Sequence, residues 1–205
     1  MKNQKPIIAL DGDGVLLDYH LAYQQVWHKA FGNCPKIKDP LAYWPEDRYD
    51  VRHLESTELD YFRGFFDHDF WISIPPIENA IDACNLLVDG GYKLVCVTAL
   101  EHRYQSARFK NLREHGFPIT HVVTTSQTDG EVSPKKTALE DLGAAVFVDD
   151  YLPYFRGVSD VIHRALILRE PHGSPNQGPE LSNVDSVHSD LQAFAREWLK
   201  GQKLD

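Results

Sequence analysis

The chain has 205 residues, 42% hydrophobic and 25% charged, the composition of a soluble globular protein long enough to bury a sizeable core in one domain with or without an insertion. Its formal net charge of -9 argues against binding along a nucleic-acid polymer, whose phosphates most faces would repel, but leaves room for a small anion in a local site. No stretch approaches a membrane span, the first residues lack the pattern of a signal peptide, and the widely spaced Cys34, Cys84 and Cys96 point to neither a disulfide framework nor a zinc site, so the expectation is a cytoplasmic protein.

The first apolar run, "PIIAL" (Pro6 to Leu10), reads as a strand. It breaks off in "DGDGVLLD", where Asp11 and Asp13 stand two residues apart with a glycine after each. From Tyr19 to Ile74 the strand pattern lapses and two amphipathic helices are expected. One covers "LAYQQVWHKAF", with Tyr23, Val26, Trp27, Ala30 and Phe31 on one side; the other covers "STELDYFRGFFDHDF", with Leu59, Phe62 and Phe66 three and four apart. Trp44 lies between them in the proline-flanked loop "DPLAYWPEDRYD". This interval reads as a helical insertion packing as its own small unit above a sheet.

Beyond it a helix over "ENAIDACNLLVDGG" stops at Gly90 and Gly91, and the strand "KLVCVT" closes on Thr98, with Ala99 next. The strand "HVVTT" follows, then the helix "SPKKTALEDLG" with Ser133 as N-cap and Pro134 at its first position. "AAVFV" is a strand ending on Asp149 and Asp150, and "ALILR" is another. A Pro/Gly-rich stretch, residues 170–183, reads as a mobile surface loop before a last helix around "SDLQAFAREWL". Strand, helix, strand in repetition predicts an α/β, Rossmann-like parallel sheet with right-handed crossovers and helices on both faces. The expected division is a core of residues 1–18 and 75–205 with an inserted unit of residues 19–74.

Ligands in an open parallel sheet bind at the carboxyl ends of the strands. Asp11, Thr98, Asp149 and Asp150 all follow such ends, and if the first and fourth strands are neighbours, four carboxylates converge with Asp13. Two unit charges about 4 Å apart repel by roughly 4 kcal/mol at an effective dielectric of 20, so the cluster calls for protonation or a cation. Oxygen ligands with room for water favour Mg²⁺ over Ca²⁺. A carboxylate is ionised at neutral pH and can attack phosphorus without a base to activate it, while a second carboxyl two residues on can trade a proton with the leaving oxygen and then with water.

Four ordered features, "DGDGVLLD", the strand closing on Thr98, the lysine pair in "SPKKTAL" and "FVDD", together resemble the haloacid dehalogenase superfamily, in particular its phosphatase branch. The insertion after "GVLLD" is similar to that superfamily's first class of helical cap. The resemblance implies that Asp11 is the nucleophile and a metal ligand, and that Asp13 is the acid and base, its backbone carbonyl also on the metal. It further implies that Thr98, with Ala99 beside it, binds the phosphoryl group and that Asp150, with Asp149 as partner, completes the Mg²⁺ site. The family's lysine falls on Lys135 or Lys136, and the register with Leu139 favours Lys135. The pattern departs after "VDD", where Tyr154 and Phe155 occupy positions at which many relatives place an acidic residue. The cadence of "FWISIPPIENAIDA" resembles the nucleotidases that act on deoxynucleoside monophosphates.

The implied function is a Mg²⁺-dependent phosphatase acting through an aspartyl-phosphate on a small phosphate ester, a nucleoside monophosphate among the candidates, with Trp44 as a contact for the leaving group. The alternatives are a phosphomutase with the same residues and a non-catalytic regulatory module on the same fold. The ten histidines show no ligand spacing, and Arg103 reads as an exposed arginine at a helix start.

Overall fold

A computed structural model describes residues 5–125 and 130–201. Among the described residues six parallel strands form one sheet: β1 (Ile7–Leu10), β2 (Lys93–Ala99), β3 (Ile119–Thr125), β4 (Ala144–Asp149), β5 (His163–Ile167) and β6 (Ser186–His188), in the order β3-β2-β1-β4-β5-β6. Each strand is short, aliphatic or β-branched, and the period of two divides its side chains between the sheet's faces. Ile7 and Ala9 point into one cluster with Leu139, Phe147 and Phe155, while Ile8 and Leu10 point into the other with Cys84, Leu87, Leu112 and Phe194. Both faces are therefore covered, as a parallel sheet requires. The fold class is the α/β, Rossmann-like arrangement that the alternation predicts. The sixth strand has three residues and gives too short a signal to be read from sequence.

Between β1 and β2 come α1 (Tyr19–Phe31), α2 (Pro45–Arg48), α3 (Ser56–Arg63) and α4 (His68–Ser73), followed by α5 (Ala80–Asp89) on the way into β2. The expected second helix of the insertion is in fact two. It stops at Gly64, and Asp67 starts α4 by accepting a hydrogen bond from Phe70 N at 3.0 Å. Tyr23, Trp27, Phe62, Phe66 and Phe70 form an aromatic cluster along these helices. That cluster is continuous with the core over the sheet, because α4 rests on α6 (Gln105–Glu114), where Asn111 Nδ2 donates to Ile72 O at 2.5 Å and Ile74 O at 2.9 Å.

Helix α6 escapes a reading by hydrophobic period because two of its buried residues, Arg108 and Asn111, are polar. Helix α7 (Lys136–Leu142) begins two residues later than Pro134, since Ser133 shapes the preceding turn: Ser133 Oγ accepts from Lys135 N at 3.2 Å and Ser133 O from Lys136 N at 3.2 Å. Helix α8 (Leu191–Gly201) packs against α5.

The stretch 170–183 is tied down rather than loose. His172 N donates to Leu41 O at 3.0 Å and Tyr43 N donates to His172 O at 2.9 Å, which joins it to the insertion. The buried Asn176 accepts from Leu152 N at 2.7 Å and donates to Asp150 O at 2.6 Å, which joins it to the loop after β4. Composition marks such a segment as irregular but does not show that its polar groups have partners. No helix among the described residues is long and apolar enough to cross a membrane.

Candidate active site

Strands β1 and β4 are neighbours at the centre of the sheet, where the connections from β1 and from β4 run to opposite sides. The carboxyl ends of these two strands open the crevice where a sheet of this order holds its ligands. Asp11 N donates to Val148 O at 2.9 Å, which fixes the residue after β1 beside the end of β4. The chain then folds back on itself, with Leu16 N and Leu17 N donating to Gly12 O at 3.0 and 2.8 Å and Gly14 N donating to Leu17 O at 2.9 Å. Gly14 has φ +82°, and a Cβ there would fall 2.0 Å from Asp150 Oδ2. A glycine is needed on both counts, conformation and close approach.

This geometry brings Asp11, Asp13, Thr98, Ala99, Asp149, Asp150 and Lys135 to one edge. Lys135 is fully buried, and its Nζ donates to Asp11 Oδ1 and to Asp149 Oδ2, each at 2.6 Å. Lys136 opens α7 half-buried. Burial opposes a charge on Lys135, but the carboxylates of Asp11 and Asp149 outweigh it, and the ammonium titrates above the ordinary lysine range. Burial pushes Asp149 up to about 7 against the pull of Lys135, and its Oδ1 accepts from Tyr151 N at 2.9 Å.

Carboxylate oxygens of Asp11, Asp149 and Asp150 lie within 4.8 Å of one another. Enclosure, and then the charges of Asp149 and Asp11, hold the Asp150 carboxyl well above the usual carboxylate range. A group of oxygen donors that cannot all stay ionised alone suits a hard divalent cation. Both oxygens of Asp149 already accept hydrogen bonds, whereas Asp150 sits against the space that Gly14 leaves open.

The Asp13 carboxylate faces elsewhere. Arg108 Nη2 donates to its Oδ1 at 2.9 Å and to its Oδ2 at 2.7 Å. Enclosure raises Asp13 above the ordinary range while Arg108 pulls it down. Sequence reasoning missed Arg108, since an arginine in the mixed stretch "QSARFKNLRE" shows neither a motif nor a periodic position. Only the packing of α6 under the insertion brings it to Asp13. Arg103, by contrast, is largely exposed and pairs with Glu101 at 2.9 Å.

Above the carboxylates lies a cleft of about 480 Å³, a volume in the range of small-molecule sites. Tyr19, Tyr43, Trp44 and Trp71 line it from the insertion, and Tyr151 and Tyr154 from the loop after β4. Trp44 remains 42% exposed; its ring meets Tyr151 edge-on with centroids 6.3 Å apart, and Tyr43 stacks on Tyr151 at 6.1 Å. His20 Nε2 donates to Tyr43 O at 2.7 Å and steadies this wall.

No protein-family model and no curated protein sequence matches the chain. Solved structures do. A haloacid dehalogenase (HAD) family hydrolase from Deinococcus radiodurans R1, with bound phosphate and sodium, is 16% identical with a TM-score of 0.64, over 95% of this chain and 97% of that one. A predicted phosphatase from Clostridium acetobutylicum is 17% identical with a TM-score of 0.59, over 97% and 100%. A protein assigned as a β-phosphoglucomutase from Thermotoga maritima is 15% identical with a TM-score of 0.57, over 95% and 99%. Near-complete coverage in both directions, on a parallel sheet of this order, establishes that the chain has the fold of the haloacid dehalogenase-like hydrolases.

Proposed function

We propose that this protein is a Mg²⁺-dependent phosphomonoester hydrolase that works through a covalent aspartyl-phosphate on Asp11. The observation that carries the reading is the buried Lys135 ammonium between Asp11 and Asp149, with Asp150 in the same cluster and Thr98 on the cleft wall. Asp11, Asp150 and the backbone carbonyl of Asp13 would hold Mg²⁺, with Asp149 alongside, and the ion when bound supplies positive charge that offsets repulsion between the phosphate and Asp11.

The chain's own residues do the rest. An Asp11 carboxylate oxygen bonds to phosphorus as the bond to the leaving oxygen breaks. Lys135 lies against the attacking carboxylate and orients it, and its charge falls on the phosphoryl group as negative charge builds there. The Thr98 hydroxyl and the Ala99 backbone receive phosphoryl oxygens. Asp13 hands a proton to the leaving group, then takes one from the water that releases phosphate. Residues 19–74 act as a cap over a core of residues 1–18 and 75–205, excluding water while Asp11 attacks.

A panel of phosphate esters tests the reading. Phosphate release is expected with Mg²⁺, is lost with a chelator, and returns better with Mg²⁺ than with Ca²⁺, whose larger ligand number would misplace Asp11. Equal rates with chelator and with Mg²⁺ would remove the carboxylate cluster from the chemistry.

The aromatic walls favour a substrate whose leaving group carries a planar ring, a nucleoside monophosphate among them. Trp44→Ala should then lower kcat/KM for such a substrate by about 1 to 3 kcal/mol of lost stacking, and leave a minimal phosphate ester almost unaffected. Equal losses on both would make Trp44 a support for the fold instead. The likeness to the Thermotoga maritima protein keeps phosphoryl return to the substrate as a second reading. Labelled phosphate that stays on an isomerised product, rather than appearing free, identifies that outcome.

A further inference from the structure

Arg108 lies behind Asp13. Its side chain is fully buried and does not line the cleft, whereas Asp13 does, keeping 28% of its side-chain surface. One nitrogen, Nη2, reaches both oxygens of that carboxylate. Nε and Nη1 have no hydrogen-bond partner among the described residues, and the guanidinium sits over the Trp71 ring at 5.3 Å. It also lies against the backbone between the two aspartates: a Cβ on Gly12 would be 3.4 Å from Arg108 Cζ and Nε and 3.1 Å from Thr98 Oγ1.

A buried charge with donors left unmatched destabilises a fold relative to an apolar side chain of the same size. The ring face of Trp71 offsets part of that cost and the ion pair with Asp13 another part. Such an arrangement is poorly accounted for by stability. It does hold one carboxylate in one place, from outside the cleft lining.

We propose that Arg108 is a positioning residue that aims the Asp13 carboxyl at the leaving oxygen of the substrate. The inference rests on the reading of Asp13 as the acid in phosphoryl transfer. In that step the Asp11 oxygen-phosphorus bond forms, the bond from phosphorus to the leaving oxygen breaks with its electron pair, and the Asp13 proton passes to that oxygen. The carboxylate left behind faces the Arg108 cation.

A leaving group that is already a stable anion needs little protonation, and a basic one needs much. The consequence is a difference between substrates of the same shape. Phenyl phosphate and 4-nitrophenyl phosphate differ mainly in the basicity of the departing oxygen, and kcat/KM reports the step in which it departs. In Arg108→Met the kcat/KM for phenyl phosphate should fall by about 10² to 10³, the usual scale of lost acid assistance, and that for 4-nitrophenyl phosphate by less than about 10-fold. Arg108→Lys, which keeps a charge and one donor, should fall between wild type and Met.

Far-UV circular dichroism and a melting curve on each variant establish that it is folded. Should Arg108→Met not fold, the same comparison is made on Arg108→Lys alone, where selective loss on phenyl phosphate supports the proposal. Equal losses on the two substrates, or none, in a folded variant overturn it. A wild-type protein that releases phosphate from neither of these two esters and from no other ester of the panel overturns the phosphoryl-transfer reading and this inference with it, so the two failures are told apart by the wild-type control.

Discussion

Asp11→Asn should abolish phosphate release and leave the fold intact. The amide keeps the size and shape of the carboxylate, its Oδ1 can still accept from Lys135 Nζ, and Asp11 N still reaches Val148 O, so the end of β1 has no reason to move. What disappears is the charge that, on the proposed mechanism, attacks phosphorus. Loss of a covalent nucleophile predicts a fall in kcat of at least about 10³-fold. Steady-state phosphate release, measured alongside a melting curve, checks both halves of the expectation. Substantial residual turnover in a clean preparation would exclude an aspartyl-phosphate on Asp11, whatever the metal requirement.

Lys135→Ala should lose both turnover and stability, and Lys136→Ala neither. Lys135 is the counter-charge to two carboxylates inside the protein, and its removal leaves Asp11 and Asp149 facing each other without compensation. Breaking a buried pair in this way costs about 3 to 5 kcal/mol, to be read from urea unfolding. On the proposed mechanism the same charge meets the phosphoryl group as it gathers negative charge, so kcat should drop by about 10² or more. Lys136 opens α7 half-buried, where a substitution is expected to stay within about 0.5 kcal/mol. The reverse order of effects would assign the catalytic lysine to position 136.

Asp150 and Gly14 show how far one residue's meaning depends on another. The sequence places both after strand ends, in "DGDG" and "FVDD", and neither motif says that the two touch. The tertiary structure puts them in contact so close that any side chain at Gly14 would collide with the Asp150 carboxylate. Arg108 and Asn176 have no local signal at all: one is an arginine in a weakly patterned helix, the other an asparagine in a Pro/Gly-rich loop. Their roles come from contacts 95 and 26 residues away along the chain.

The parallel α/β architecture and the group of strand ends that bear Asp11, Thr98, Asp149 and Asp150 were legible from the amino-acid order alone. Strand and helix periods are local, and in a parallel sheet the ends of all strands face the same way. Which lysine meets Asp11, where α3 gives way to α4, and that the 170–183 stretch joins the insertion to the loop after β4 became visible only in the packed fold. These outcomes depend on which buried polar groups find partners. A hydrogen bond or ion pair between segments far apart in the chain leaves no period in the sequence, because its geometry exists only once both segments are packed.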